Sequence, residues 1–371
     1  MEKIMFEVET LQLIWWVLIV VLFTGFALTD GFDIGVGILL PIAGKTNTER
    51  RILINAIAPH WDGNQVWFVL GIGALFAAWP PVYATVFSLL YVPLMLCLFG
   101  LFFRPVGFDY RAKIDNATWR TFWDWGIFTG SALPIFLLGL SVGNLFLGIP
   151  FDIDEFHRPV VTSSFLGLFN PFAVFVGLLT LALMILHGAT YAQVRTEGEL
   201  FHRLTRFARY SSLTAIILFV IAGAALALYI KGYFIDSDRL VKTEIGAWLS
   251  GYTNRGIAIG LPLISIIGLV LAYLKAGESA VLAFSGSTIA MAGVLTTAAT
   301  SLFPFIAPSS ISMDDSLTVF NATSSHYTLT ILTVMAMLFV PIILGYTFWC
   351  YRAMWGRITE KYIKDNGHSL Y

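Results

Sequence analysis

The chain has 371 residues, of which 57% are hydrophobic, 15% aromatic and only 12% charged, with a mean hydropathy of +0.79. Soluble domains carry about 25% charged residues, and half that density cannot cover a water-soluble protein of this size, which excludes a soluble enzyme. A formal net charge of -1 leaves no basic excess to neutralise phosphates and speaks against a nucleic-acid partner.

A helix needs roughly 20 apolar residues to cross about 30 Å of hydrocarbon. In chain order, runs of that kind occupy 12–40, 53–78, 82–104, 122–147, 163–191, 210–231, 256–274, 279–304 and 328–351. They predict an all-α, polytopic integral membrane protein with nine transmembrane helices. The first run follows Glu2, Glu7 and Glu9 and lacks a small-residue cleavage site, so it is expected to span the membrane rather than be cut as a signal peptide. The widest gaps, 232–255 and 305–327, are too short for a soluble module, so residues 1–371 form one transmembrane domain. Cys97 and Cys350 lie in apolar runs far apart, with no CxxC motif, and are expected to be small buried hydrophobes.

Orientation follows from Lys and Arg, which cytoplasmic loops retain. Nine spans place 16 of the 22 basic residues, including Arg50, Arg111, Arg195, Arg203 and Arg352, on the side of the C-terminus. The other six, Lys3, Arg158, Lys231, Arg239, Lys242 and Arg255, share the side of the N-terminus with the acidic stretches 152–155 and 313–315. The C-terminus is therefore expected to be cytoplasmic and the N-terminus periplasmic.

A charge near the middle of a bilayer costs at least about 2.5–3.5 kcal/mol, so an intramembrane carboxylate is a functional candidate by default. Run one contains Thr29-Asp30-Gly31-Phe32-Asp33-Ile34-Gly35-Val36-Gly37, with Asp30 and Asp33 neighbouring on one helix face. Its GxxxG, Gly31 and Gly35, lets another helix approach closely. Run two contains Pro59-His60-Trp61-Asp62-Gly63-Asn64, more polar than anchoring requires. Counting 1.5 Å per residue from the inner ends puts Asp33 at roughly 12 Å and Asp62 at roughly 14 Å, hence at similar depth. Proton transfer by Asp62, with Asp33 or Asp30 assisting, is one reading; pairing with Arg, His or Trp N–H to fix helix packing is the other. Arg104 could pair with Asp62 or Asp33, or anchor the interface by snorkelling. His60 and His187 are the histidines inside spans, and each is either a cofactor ligand or a hydrogen-bonded packing residue. Trp61, Trp67 and Trp125 either pack or edge a cofactor held by a partner. No metal site or nucleotide motif occurs, so no metal is assigned to this chain.

At TDGFDIGVG, IAPHWDGNQVW, ALFAAWPPVYA, LFFRPVGFDYRAK and WDWGIFTGSALP the chain resembles the second, smaller subunit of cytochrome bd-type quinol oxidases. The likeness continues through NPF (170–172), GATY (188–191), FPF with PSS (303–310), NATSS (321–325) and the ending GRITEKYIKDNGHSLY. The resemblance implies two four-helix bundles plus one peripheral helix, in the bacterial cytoplasmic (inner) membrane, pseudo-symmetrically paired with a larger subunit I and joined by small single-span subunits. It implies quinol oxidation and oxygen reduction to water, electrogenic without pumping. Two b-type haems and one d-type haem would sit in subunit I, none ligated by this chain, which could hold a structural quinone. Residue by residue, Asp62 matches the position of a cytoplasmic proton path, Trp61 and Asp33 positions of the polar core, and Arg104 a charge partner. A secondary transporter or proton channel, and a purely structural partner, are the competing classes.

Overall fold

The structure is a computed structural model that describes residues 7–156, 158–162, 164–254, 259–366 and 371. Lys3, Arg255 and the start of the run at 256 lie outside the described residues, as do 367–370 of the closing motif.

Thirteen α-helices carry the described chain: α1 Val8–Ala43, α2 Asn47–Ile57, α3 Trp61–Ala78, α4 Pro80–Leu89, α5 Tyr91–Tyr110, α6 Ala117–Leu147, α7 Pro171–Arg195, α8 Gly198–Leu228, α9 Ala247–Asn254, α10 Gly260–Lys275, α11 Ala280–Leu302, α12 His326–Ala353 and α13 Glu360–Asp365. Seven of them, α1, α5, α6, α7, α8, α11 and α12, are long and apolar enough to cross a membrane. The other two expected spans also hold helices, but α3 opens on polar residues and α10 is only 16 residues long.

Local chemistry sets several boundaries. The run at 163–191 becomes helical only at Pro171, because Asn170 accepts from the Ala173 N–H at 2.8 Å and Pro171 occupies the first helical position, where its missing N–H costs nothing. Ser325 caps α12 in the same way. The run expected to be continuous over 53–78 is broken between α2 and α3 at Ala58–His60. Pro59 has no N–H and its ring crowds the preceding turn, so the helix ends and restarts. Likewise the run at 82–104 is displaced: α4 turns at Leu90 into α5, which continues through Pro105 to Tyr110 and places Arg104 inside the helix rather than at its end.

Helix α1 is central, packing on α3, α6 and α7 and also touching α11 and α12. Helices α5 and α6 pair beside it; α7 joins α8 and α11, and α10 and α11 form a close pair. Helix α12 is marginal, with Leu329 and Thr333 as its buried residues among those described. Three two-stranded antiparallel hairpins, Phe151–Ile153 with Pro159–Val161, Lys231–Ile235 with Val241–Ile245, and Phe305–Ala307 with Leu317–Thr318, lie where α6 leads to α7, α8 to α10, and α11 to α12. Alternating helix direction puts all three at one end of the molecule. The opposite end is tied by charge, with Arg203 donating to Glu49 and to the Ala43 carbonyl.

Glu49 also completes a capping box with Thr46 at the start of α2. Burial pushes its carboxyl up, but Arg203 and the N–H groups of Lys45 and Thr46 outweigh this and hold it below the usual 4.5. Its stabilisation is therefore present at neutral pH and lost as pH falls through the lowered folded value. Glu49→Gln should remove that part of the acid sensitivity below about pH 4.5, read from thermal midpoints of the purified protein across pH.

Candidate functional site

Every residue of α1 from Asp30 to Leu40 is buried, so this stretch has no outward face and must satisfy each polar group inside the protein. Close approach makes this feasible. A Cβ on Gly35 would lie 2.0 Å from the Met184 carbonyl oxygen and 2.8 Å from Gly188 Cα, and one on Gly37 would lie 2.2 Å from Ser131 Oγ. The GxxxG of run one thus faces α7, with Gly31 against the Met184 side chain.

Asp30 and Arg104 are 0% and 1% exposed and form a two-pronged pair, Nη2 to Oδ1 at 2.7 Å and Nη1 to Oδ2 at 3.0 Å. The sequence pointed Arg104 at Asp62 or Asp33. Because α5 runs past Arg104, the guanidinium reaches α1 one turn away from Asp33, where planar bidentate geometry is strongest.

Asp33, also fully buried, belongs to a separate cluster drawn from five elements. Its Oδ2 accepts from Asn64 Nδ2 of α3 at 2.6 Å, and the same amide donates to the Thr29 carbonyl at 3.2 Å. Tyr351 of α12 donates to Asn64 Oδ1 at 2.5 Å, which fixes the amide's orientation. Asp33 Oδ1 and His60 Nδ1 stand 3.6 Å apart, each otherwise without a hydrogen-bond partner. His60 Nε2 meets the Tyr191 hydroxyl of α7 at 3.1 Å, and the Ala56 carbonyl of α2 lies 3.0 Å from that hydroxyl as a second acceptor for its one proton. Phe32, stacked on Tyr191 with ring centroids 4.0 Å apart, and Phe284 of α11 wall the cluster. The break before α3 is what brings His60 to Asp33.

Asp62 is not gathered into this cluster. It is exposed at the start of α3, beside His60 in sequence but directed outward. Asp33 and Asp62 lie on different helices, and the rotation of α3 about its axis turns Asn64 to Asp33 and leaves Asp62 facing outward. Trp61 is half-buried against Phe108, ring centroids 5.9 Å apart; Trp67 is buried and Trp125 exposed. His187 uses both ring nitrogens, Nδ1 with Ser287 Oγ at 2.8 Å and Nε2 with the Leu28 carbonyl at 3.1 Å.

These histidines do not fit haem ligation. His187 has no free nitrogen, and His60 is bound through Nε2 and faces a carboxylate through Nδ1. Among the described residues, no group of three or more His, Cys, Asp and Glu side chains could hold a metal ion.

A third buried carboxylate was not among the candidates that the sequence singled out. Asp124 of α6, fully buried, accepts from Arg111 Nε at 2.6 Å and Arg50 Nη1 at 2.7 Å, tying α6 to the end of α5 and to α2. Its signal was a carboxylate between Trp123 and Trp125 in a segment otherwise suited to hydrocarbon.

Comparison with known proteins gives a consistent picture. Residues 11–354 match the family model described as cytochrome bd terminal oxidase subunit II. Over 379 aligned positions, 99% of this chain and 100% of the relative, it is 47% identical to cytochrome bd-I ubiquinol oxidase subunit 2 of Escherichia coli K12. It is 34% identical to cytochrome bd ubiquinol oxidase subunit 2 of Bacillus subtilis 168, covering 94% of this chain and 97% of that one. The fold is similar, at TM-score 0.62 and 13% identity, to a chain in the structure of bd oxidase from Geobacillus thermodenitrificans, with 92% of this chain and 98% of that chain covered.

Proposed function

From the premise that this chain belongs to the family of cytochrome bd terminal oxidase subunit II, we propose that it supplies the cytoplasmic proton-uptake path of a quinol oxidase complex. It is a multi-pass membrane subunit of such a complex, and the full-length likeness favours this reading over a secondary transporter. In the proposed arrangement nine helices cross the bacterial cytoplasmic membrane, α3 and α10 completing the set, as two groups of four with α12 at the side. The N-terminus is periplasmic and the C-terminus cytoplasmic, which puts the arginine-tied end in the cytoplasm.

The two b-type haems and the d-type haem are assigned to subunit I, with small single-span subunits completing the assembly. Haem there would supply oxygen reduction, and no complete redox site is assigned to this chain. Protons for water come from the cytoplasm and none is pumped, so turnover is electrogenic.

The observation that carries the proton role is an exposed carboxylate, Asp62, two residues from a buried cluster of titratable side chains. Its exposure suits a place on the surface that meets subunit I, beside outward-facing Val66, Val69 and Leu70. Asp33 then lies behind it as a second proton-accepting group. Asp30, saturated by Arg104, is assigned to packing, as is Arg104. Asp62→Asn should lower oxygen consumption by about tenfold or more while haem b and d absorbance in the purified complex is kept. Unchanged turnover would remove the proton role, and loss of haem would reassign Asp62 to assembly.

A further inference from the structure

We infer that His60 and Asp33 form a proton-binding dyad whose loading is set by the direction of the Tyr191 hydroxyl. This deepens the proton-uptake reading and rests on it. The inference follows from counting protons in the cluster. Asn64 uses both amide hydrogens, on Asp33 Oδ2 and the Thr29 carbonyl, while its oxygen receives the Tyr351 proton. That side is closed and can neither take nor give a proton without breaking.

The other side is open to two arrangements. Tyr191 has one hydroxyl proton and two acceptors at nearly equal distance, His60 Nε2 at 3.1 Å and the Ala56 carbonyl at 3.0 Å. If it donates to His60, the imidazole is neutral with its proton on Nδ1, facing an Asp33 carboxylate. If it donates to Ala56, Nε2 must carry a proton to bond to the Tyr191 oxygen. A bare Nδ1 would then face a bare carboxylate oxygen across 3.6 Å, so one further proton must lie between Nδ1 and Asp33 Oδ1.

The two arrangements differ by one proton. Loading places a proton on Nε2 while the hydroxyl turns from His60 to Ala56; unloading reverses both. No heavy-atom bond changes and no electron moves: the proton enters from the cytoplasmic side and leaves for the oxygen-reducing partner. Tyr191 is thus a positioning residue, and the His60–Asp33 pair is the proton-binding site.

The surroundings suit a group that changes charge by one. Phe32 and the Tyr351 ring pack against the buried imidazole, and Phe284 packs on Phe32 and Tyr191 behind it. Among the described residues, the ionisable neighbours of the imidazole are Asp33 on α1, Tyr191 on α7 and Tyr351 on α12. One step further lie the Asp30–Arg104 pair, Arg195 at the end of α7, and the exposed Asp62 on α3. Among the described residues, Asp30 and Arg104 offset each other, and Arg195 donates to the Met354 carbonyl.

The test uses the whole oxidase purified with Tyr191→Phe or His60→Gln, assayed for oxygen consumption from pH 5.5 to 9, with haem absorbance as the assembly control. Tyr191→Phe keeps the ring stacked on Phe32 and removes only the rotor. We expect the pH of half-maximal rate to move by one unit or more, a tenfold change in proton affinity. In parallel, infrared difference spectra of the unsubstituted complex carrying ring-labelled histidine should show one imidazole protonating over that range, and Asp33→Asn should abolish or displace it. This second measurement stands if His60→Gln fails to assemble. A profile for Tyr191→Phe that superimposes on the parent, with no titrating imidazole, overturns the dyad. If Asp62→Asn still slows turnover in that case, proton uptake by this subunit survives without the dyad; if it does not, both fall.

Discussion

Arg104→Met is expected to cost about 3–5 kcal/mol, because it leaves the fully buried Asp30 carboxylate without its counterion. The desolvation of both ions is already part of the folded state. Removing one partner therefore forfeits the attraction while keeping the other's burial cost, which inside a membrane domain has no water to relieve it. The thermal midpoint of the purified complex should fall steeply, and the amount of the subunit in membranes should fall with it. The pair's packing role is separated from any chemical role by the double variant Asp30→Asn with Arg104→Gln. It removes both charges and should recover most of the loss, since a neutral hydrogen-bonded pair replaces the ion pair without leaving an orphan. If Arg104→Met alone leaves the midpoint unchanged, the guanidinium does not carry the α1–α5 contact.

Gly35→Ala is the second large effect, expected at about 3 kcal/mol or more, the upper end of overpacking costs. The added methyl would sit 2.0 Å from the Met184 carbonyl oxygen and 2.8 Å from Gly188 N and Cα. These are backbone atoms of α7, so no side-chain rotation relieves the overlap and the two helices must separate. Gly188→Ala should behave alike, since its methyl would come within 2.3 Å of the Gly35 carbonyl carbon. The control is Gly223→Ala on α8, where an added Cβ meets nothing within 4 Å. It should be neutral or slightly stabilising, because alanine loses less backbone freedom than glycine in a helix. Equal midpoints for Gly35→Ala and Gly223→Ala would show that the α1–α7 crossing is not held by backbone proximity.

The sequence by itself determined that this is a helical membrane protein, where most of its long helices run, and which segments hold unusual polar residues. Those properties depend on composition and on distance along the chain: about 30 Å of hydrocarbon sets a length, and each charge within it stands out. The caps Asn170-Pro171 and Ser325 act on N–H groups only three residues away, a local signal that the boundaries at 163 and 328 did not use. The meeting of Gly31 and Gly35 with another helix was legible as a face, though not that the other helix is α7.

Only the tertiary structure decided the partners. Height along a helix can be counted from the sequence, but rotation about its axis and the choice of neighbour come from packing the whole set at once. That is why Arg104 meets Asp30 although Asp33 is three residues away, and why Asp62, two residues from His60, points outward. The break at Ala58–His60 turns His60 toward Asp33, and Tyr191 and Tyr351 arrive from helices more than a hundred residues further along the chain. Asp124 shows the same division: its cost in hydrocarbon was visible in the sequence, whereas the two arginines that neutralise it come together only when α2, α5 and α6 pack. Burial in a low-dielectric interior makes each such pairing obligatory, and the fold supplies the one geometry in which they are met together.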